Sequence, residues 1–206
     1  METTYVAPTT VTAYLDPTCP FAWITSSWLA EVETQSGLTV RRELMSLSVV
    51  NEGRELDAWY RDYNERAWRP ARVAAALLAS PHADLWTDFY EVFGRRRHVE
   101  GLRDDARNIA LTLDELGIPA ELAHAAEDSS WDADLRNRTK AATAPLTDDG
   151  GTPILHIADR GFFGPVLTAV PRGDAAVRLW QAVATLATTP SFSEIKGTRD
   201  ERLQTS

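Results

Sequence analysis

The first fifty residues alternate between two hydrophobic patterns, and this alternation constrains the fold more than any other feature. Thr10–Leu15 (TVTAYL) alternates and is rich in β-forming residues, which predicts a strand. A helical pattern then runs from Cys19 to Ser36-Gly37, and residues 38–50 predict a second strand running into a loop. Strand, helix and strand in succession form a βαβ unit with parallel strands and a right-handed crossover.

The middle of the chain shows only helical patterns. Five helices are predicted, over residues 56–78, 85–99, 103–116, 119–126 and 131–146. Strands return at residues 152–158 and 161–163 as a hairpin around Asp159-Arg160, and a final amphipathic helix covers residues 173–188. We therefore predict an α/β fold with a central β-sheet and a large all-α insertion. Its sheet domain comprises residues 1–55 and 150–206, and the helical insertion comprises residues 56–149.

Composition and charge narrow the range of possible functions. Charged residues make up 25% and apolar residues 44% of the 206 residues, which is ordinary for a globular chain. Lys and Arg number 21 against 30 Asp and Glu, so the net charge of −9 argues against nucleic-acid binding. The start of the chain lacks a secretory pattern, and the longest aliphatic stretch, residues 73–79, is too short to cross a bilayer. We expect a cytoplasmic protein that does not associate with membranes.

Cys19 is the only cysteine, which excludes an internal disulfide and cysteine-based zinc sites. It follows a predicted strand and opens a predicted helix, with Pro20 at an early helical position. Unpaired N–H groups and the helix dipole at such a place lower the pKa of a thiol, and the thiolate is the nucleophile. The alternative is a buried cysteine that serves as a small hydrophobic residue. The turn Asp16-Pro17-Thr18 favours the reactive thiol.

Two further segments have both a structural and a functional interpretation. Pro153 opens a predicted strand, where it is either an ordinary trans proline or a cis proline that exposes the backbone of Thr152 to an extended thiol ligand. The basic run Arg95-Arg96-Arg97-His98 is either a solvated helix end or a clamp for a polar or anionic cofactor. The four histidines show no metal-ligand spacing, so no metal is expected.

The order of strands and helices around Cys19-Pro20 and Thr152-Pro153 resembles the DsbA-type thioredoxin fold. Several segments also resemble the mycothiol-dependent nitroreductases of actinobacteria: LDPTCPFAWITSSW (residues 15–28), MSLSVVNE (45–52), RAWRPARV (66–73), GTP (151–153), FFGPVL (162–167), PRG (171–173) and KGTR (196–199). The resemblance extends over roughly residues 10–200.

This resemblance implies a thioredoxin-fold reductase that uses the thiol cofactor mycothiol. By it, Cys19 is the attacking thiolate, Pro153 is the cis proline, and Phe21, Asn51 and Tyr60 line the substrate pocket. The full predicted set for binding the thiol and the substrate is Pro20, Phe21, Ala22, Trp23, Asn51, Tyr60, Trp68, His98, Thr152 and Pro153.

One departure from the family changes the expected chemistry. The family motif Cys-Pro-Trp-Cys is here Cys19-Pro20-Phe21-Ala22, so an alanine stands where the resolving cysteine would release a mixed disulfide. Either an external thiol resolves Cys19, or the adduct is not part of the cycle, or Ala22 was introduced to trap an intermediate.

Three hypotheses follow. The first is a monothiol oxidoreductase that uses mycothiol, or another low-molecular-weight thiol, to reduce a disulfide or a nitroaromatic-like electrophile. The second is a kappa-class-like thiol transferase or isomerase, in which the bound thiol is the nucleophile. The third is a non-catalytic relative that binds a thiol or a partner chain.

The expected partners are a small thiol and a small aromatic or electrophilic substrate. The oligomeric state stays open, with a homodimer among the options.

Overall fold

A computed structural model describes residues 8–147, 150–199 and 202–206 of the chain. Four strands form one sheet in the order β2-β1-β3-β4: β1 (Thr10–Leu15), β2 (Thr39–Leu44), β3 (Ile154–Ile157) and β4 (Arg160–Phe163). β1 and β2 are parallel and in full register, whereas β3 is antiparallel to both β1 and β4. The βαβ unit and the hairpin predicted from the sequence are therefore confirmed.

The first and last helices pack against each other beside the sheet. Helix α1 (Pro20–Ser36) connects β1 to β2 and ends at Gly37, whose φ of 68° lies in the left-handed region that glycine tolerates. The last helix of the chain, α7 (Asp174–Thr188), packs against α1, and both touch the sheet. The indole N–H of Trp28 on α1 donates a hydrogen bond of 3.0 Å to the carbonyl of Ala176 on α7.

Between β2 and β3 the described residues are helical and contain no strand. The five α-helices of this region are α2 (Leu47–Val50), α3 (Ala58–Leu78), α4 (Trp86–Gly94), α5 (Asp105–Glu115) and α6 (Asp132–Thr143). A π-helical turn, Arg95–Val99, follows α4 directly, and short 3₁₀ segments complete the region. Its treatment as a separate subdomain stays a prediction.

Several predicted boundaries are wrong. The second strand ends at Leu44, because Ser46 caps the short helix α2 by accepting a hydrogen bond from the Val49 N–H. The helix predicted over residues 85–99 divides into α4 and the π-helical turn. The segment predicted as a short α-helix over residues 119–126 is 3₁₀, and the helix predicted over 131–146 spans only Asp132–Thr143.

The main hydrophobic core is continuous from the sheet into the helical region. Leu15 of β1, Trp28 of α1 and Phe93 of α4 are fully buried in it, and Cys19 belongs to the same cluster. Within the described part of the chain, no helix has the length and apolarity that crossing a membrane requires.

Candidate active site

Cys19 lies at the junction between β1 and α1. The turn that follows β1 closes when the Cys19 N–H donates to the Asp16 carbonyl at 3.2 Å. Cys19 has extended backbone angles and caps α1, and Pro20 occupies the first turn of the helix, as the sequence predicts. The backbone N–H groups of Phe21 and Ala22, at the start of α1, act to lower the pKa of the Cys19 thiol.

The protonation state of Cys19 differs from the prediction. Its side chain is only 3% exposed, and its thiol donates to the Thr152 carbonyl with an Sγ to O distance of 3.5 Å. Burial raises the pKa of the Cys19 thiol to about 12, outweighing the N–H groups of Ala22 and Phe21, and the charge of Asp16 adds to the rise. The expected lowered pKa is therefore wrong for this conformation, in which Cys19 is a buried thiol.

Thr152 and Pro153 face Cys19 from the start of β3. The Thr152–Pro153 peptide bond is cis. Thr152 is buried, and its hydroxyl donates to the Tyr14 carbonyl on β1 at 3.3 Å. The Pro153 carbonyl accepts from the Gly164 N–H at 2.8 Å. These bonds fix the Thr152 carbonyl in its place against the Cys19 thiol.

Asp16 is a buried carboxyl group that the sequence analysis treated only as part of a turn. Its Oδ1 accepts from the N–H and from the hydroxyl of Thr18, both at 2.7 Å, and its Oδ2 accepts from the Leu47 N–H at 2.7 Å. Burial raises the pKa of Asp16, although these hydrogen bonds favour the carboxylate. Asp16 therefore ties the loop before Cys19 to the start of α2. The spacing Asp-Pro-Thr directly before the cysteine was the available signal.

Asn51 and Tyr60, both predicted to line the pocket, lie together. The Asn51 Nδ2 donates to the Tyr60 hydroxyl at 3.1 Å, and the Tyr60 ring stacks on Tyr63 with centroids 5.9 Å apart. The Tyr63 hydroxyl donates to the Thr18 carbonyl at 2.7 Å, next to Cys19. Tyr63 was missed, although its spacing of three residues from Tyr60 places both on one face of α3.

His98 and Trp23 form a second contact with the Cys19 loop. The His98 Nε2 lies 3.1 Å from the Pro17 carbonyl, to which a protonated Nε2 donates, and the ring stacks on Trp23 with centroids 5.8 Å apart. Burial lowers the pKa of His98 to about 3, so the imidazole is neutral at pH 7. The indole is accommodated by Gly94, where a Cβ would lie 2.4 Å from the Trp23 ring.

The three arginines of the basic run all pair with acidic side chains. Arg97 is buried and forms an ion pair with Asp105, and Arg95 and Arg96 both pair with Glu115. Among the described residues, the Arg97 Nε and the Tyr90 hydroxyl are buried without a hydrogen-bond partner. The run is therefore largely neutralised by acidic side chains.

Phe21 and Trp68 have different surroundings. The half-buried Phe21 follows Cys19 by two residues, and the guanidinium of Arg199 lies 5.6 Å from its ring centroid. Trp68 on α3 lies under the guanidinium groups of Arg72 and Arg136, at 5.4 and 5.9 Å. Trp68 packs against the hydrophobic cluster that contains Cys19, and its role in binding stays a prediction.

Residues 18–197 match the model of the Rv2466c-like family, described as mycothiol-dependent nitroreductase Rv2466c. The chain belongs to this Rv2466c-like family. A relative in Mycobacterium tuberculosis (strain ATCC 25618 / H37Rv), the uncharacterized protein Rv2286c, is 32% identical over 192 residues, which cover 91% of this chain and 81% of that protein. The resemblance identified from the sequence motifs is confirmed.

Solved structures place this Rv2466c-like chain among DsbA-type thioredoxin folds. A 2-hydroxychromene-2-carboxylate isomerase matches with a TM-score of 0.59 at 17% identity, covering 86% of this chain and 94% of that one. The cytosolic disulfide reductase DsbM from Pseudomonas aeruginosa with GSH matches with a TM-score of 0.54 at 18% identity, covering 85% and 97%. At these identities the structures establish the fold alone, and the predicted fold class is confirmed.

Proposed function

We propose that the protein is a cytoplasmic monothiol oxidoreductase, in which Cys19 exchanges disulfides with a low-molecular-weight thiol. The observation that carries the proposal is the position of Cys19, at the N-terminus of α1 with its sulfur against the Thr152 carbonyl. The fully buried Ala22 stands where a dithiol enzyme has its second cysteine. Membership of the Rv2466c-like family supports mycothiol as the thiol.

The residues around Cys19 fit a thiol co-substrate. The N–H groups of Phe21 and Ala22 favour a thiolate at Cys19 once its surroundings become polar. Asn51, Tyr60 and Phe21 offer an amide and two aromatic rings to a small aromatic or electrophilic substrate.

The exchange at Cys19 has two steps. The Cys19 thiolate attacks one sulfur of a disulfide, so a bond to Cys19 forms, the old S–S bond breaks, and the departing thiolate takes up a proton. A thiol from solution then attacks the sulfur bonded to Cys19, restores the Cys19 thiol and leaves within a new disulfide. One external thiol is thus oxidised for each thiol released, and no second cysteine of the chain is required.

A specific observation favours a second candidate. The Cys19 thiol is protonated in this conformation and donates to a carbonyl, and the neighbouring histidine is neutral. This arrangement suits a thiol transferase or isomerase in which the bound thiol is the nucleophile and Cys19 acts by hydrogen bonding.

Substitutions at Cys19 distinguish the candidates. Under covalent exchange, oxidised mycothiol adds one mycothiol mass to the wild type, and both Cys19→Ser and Cys19→Ala abolish mycothiol-linked turnover. Under the second candidate, Cys19→Ser retains turnover and Cys19→Ala loses it, because serine still offers a hydroxyl. Mycothiol binding without turnover in any variant favours the non-catalytic relative. A wild type that stays unmodified while a control thiol reacts contradicts covalent exchange.

Ala22→Cys tests the role of the missing thiol. A cysteine three residues after Cys19 allows an internal disulfide, so the oxidised variant is expected to lose two hydrogens in mass and to retain no adduct. Ala30→Cys is the matched control. Ala30 lies eleven residues after Cys19, about 16 Å from it along the helix axis and too far for a disulfide. A persistent mycothiol adduct on Ala22→Cys contradicts direct resolution at this position.

A further inference from the structure

Arg199 brings a positive charge to the site. Its guanidinium lies 5.6 Å from the ring centroid of Phe21, two residues beyond Cys19. The Arg199 charge acts to lower the pKa of the Cys19 thiol, although burial prevails. The side chain is exposed, so its N–H donors remain available to a ligand. In the sequence, Arg199 stands out only as part of the family-like segment KGTR (196–199).

Residues 202–206 are held against the elements that surround the site. Trp23 on α1 donates through its Nε1 to the Thr205 carbonyl at 2.8 Å. The Thr205 hydroxyl donates to the His98 carbonyl on the π-helical turn at 2.6 Å. The Gln204 N–H donates to the Thr168 carbonyl at 2.8 Å. These bonds anchor residues 202–206 against α1 and the π-helical turn.

Arg199 also differs from the arginines of the helical region. Arg97 pairs with Asp105, Arg96 with Glu115 and Arg136 with Glu52. Within the described ranges, no ion pair involves Arg199. A chain with a net charge of −9 repels anions in general, so an available guanidinium beside the nucleophile is a local exception.

We propose that Arg199 and Phe21 together select aromatic ligands that carry a carboxylate. A guanidinium matches a carboxylate through two parallel N–H···O bonds, and the Phe21 ring offers an aromatic contact to the rest of such a ligand. Arg199 is thus a specificity-determining residue, and its role rests on the proposed function, because the ligand is one that reacts at Cys19.

Two matched aromatic disulfides test the proposal. 2,2′-Dithiodipyridine is neutral, and 6,6′-dithiodinicotinate is the same molecule with a carboxylate on each ring. In either case the Cys19 thiolate forms a mixed disulfide and releases one aryl thiol, whose absorbance gives the rate. For Arg199→Gln we expect the rate with dithiodinicotinate to fall about fivefold, as for an exposed ion pair, with little change for dithiodipyridine.

Control variants separate this effect from general electrostatics. Arg199→Lys keeps the charge and is expected to retain part of the preference. Arg41→Gln removes the same charge from an exposed arginine paired with Glu43 on β2, and the ratio of the two rates is expected to stay unchanged. Equal losses for both reagents in Arg199→Gln, or no loss for either, overturn the proposal.

Measuring binding to the Cys19→Ser variant tests ligand selection by Arg199 separately from covalent exchange at Cys19. Calorimetry with dithiodinicotinate measures affinity without covalent reaction, and adding Arg199→Gln is expected to weaken the affinity about fivefold. If this loss occurs but neither reagent modifies wild-type Cys19, covalent exchange fails and the selection by Arg199 stands. An affinity that Arg199→Gln leaves unchanged overturns the role of Arg199, whatever the reactivity of Cys19.

Discussion

Cys19 is enclosed from two sides that are built differently. The sheet side supplies mainly backbone groups, namely the first N–H groups of α1 and the Thr152 carbonyl. The helical side supplies side chains: the Tyr63 hydroxyl on the Thr18 carbonyl, and the neutral His98 imidazole at Pro17. The sheet side fixes where the sulfur lies, and the helical side removes water from around it.

The difference explains why the position and the protonation of Cys19 have separate origins. A helix N-terminus favours a thiolate through groups within three residues of the cysteine. Burial by the helical region favours the thiol, and for Cys19 burial is the larger effect. Variants that act on one side alone should therefore change one property more than the other.

The largest effect on stability is expected for Asp16→Asn on the sheet side. Both carboxylate oxygens accept hydrogen bonds, and an asparagine would place an NH₂ group against the N–H of Thr18 or Leu47. We expect a loss of about 3 kcal/mol in the free energy of unfolding. Denaturant unfolding measures it, with Asp104→Asn as control, because asparagine caps α5 as well as aspartate does.

The same Asp16 variant removes a negative charge that raises the pKa of Cys19. Alkylation of Cys19 as a function of pH is therefore expected to shift to lower pH. If Asp16→Asn is as stable as the wild type and its alkylation profile is unchanged, the carboxyl group affects neither the stability of the protein nor the pKa of Cys19.

Gly94→Ala is expected to have the next largest effect, on the helical side. The added Cβ would lie 2.4 Å from the Trp23 ring, so the indole must move away from α4. We expect a loss of about 2 kcal/mol, despite the better helix propensity of alanine. Gly197→Ala, where a Cβ meets nothing within 4 Å, should be nearly neutral. Equal stability of the two variants would contradict tight packing around Trp23.

His98 should make the free energy of unfolding depend on pH in the acid range. Its pKa is lowered to about 3 in the folded protein, against about 6.5 when unfolded, so between these values the unfolded chain binds the extra proton. Stability contributed by neutral His98 is thus lost as the pH falls from about 6.5 toward 3. Compared with His98→Gln, the wild type should lose about 2 kcal/mol more between pH 7 and pH 5.

The control for His98 is the exposed His124. Unfolding of His124→Gln should follow the wild type across the same pH range. If His98→Gln also follows the wild type, the imidazole is not held neutral by burial.

The smallest effects on stability are expected for substitutions of Tyr63 and Tyr90. Tyr63→Phe removes the hydrogen bond to the Thr18 carbonyl and should cost about 1 kcal/mol. Tyr90→Phe removes a buried hydroxyl that has no partner among the described residues, so stability should stay unchanged or rise. Thermal unfolding of the two variants side by side measures the difference, and an equal loss would show that the Tyr90 hydroxyl is bonded in solution.

Local sequence patterns predict the elements on the sheet side of Cys19. The strand β1, the turn at Pro17, the start of α1 at Pro20 and its end at Gly37 all follow from residues within a few positions. The parallel pairing of β1 with β2 and the hairpin of β3 with β4 follow from the order of the elements. For the same reason the position of Cys19 could be predicted from fewer than ten residues.

The helical side could not be predicted in this way. The contacts of His98 with Pro17 and of Tyr63 with Thr18 join residues that lie 81 and 45 positions apart. Hydrophobic periodicity indicates which face of a helix is buried, but it does not indicate which buried group that face covers. The raised pKa of Cys19 is a product of this long-range packing, which is why the prediction from the helix N-terminus alone was wrong.

The burial of Cys19 has a consequence for the lifetime of the protein. Peroxides oxidise thiolates, and each further oxidation step beyond sulfenic acid is hard to reverse. A thiol with a pKa of about 12 is almost entirely protonated at neutral pH, and 3% exposure leaves oxidants little access to its sulfur. A protein without a second cysteine cannot protect the first by closing a disulfide, and here the packing of the resting state provides that protection instead.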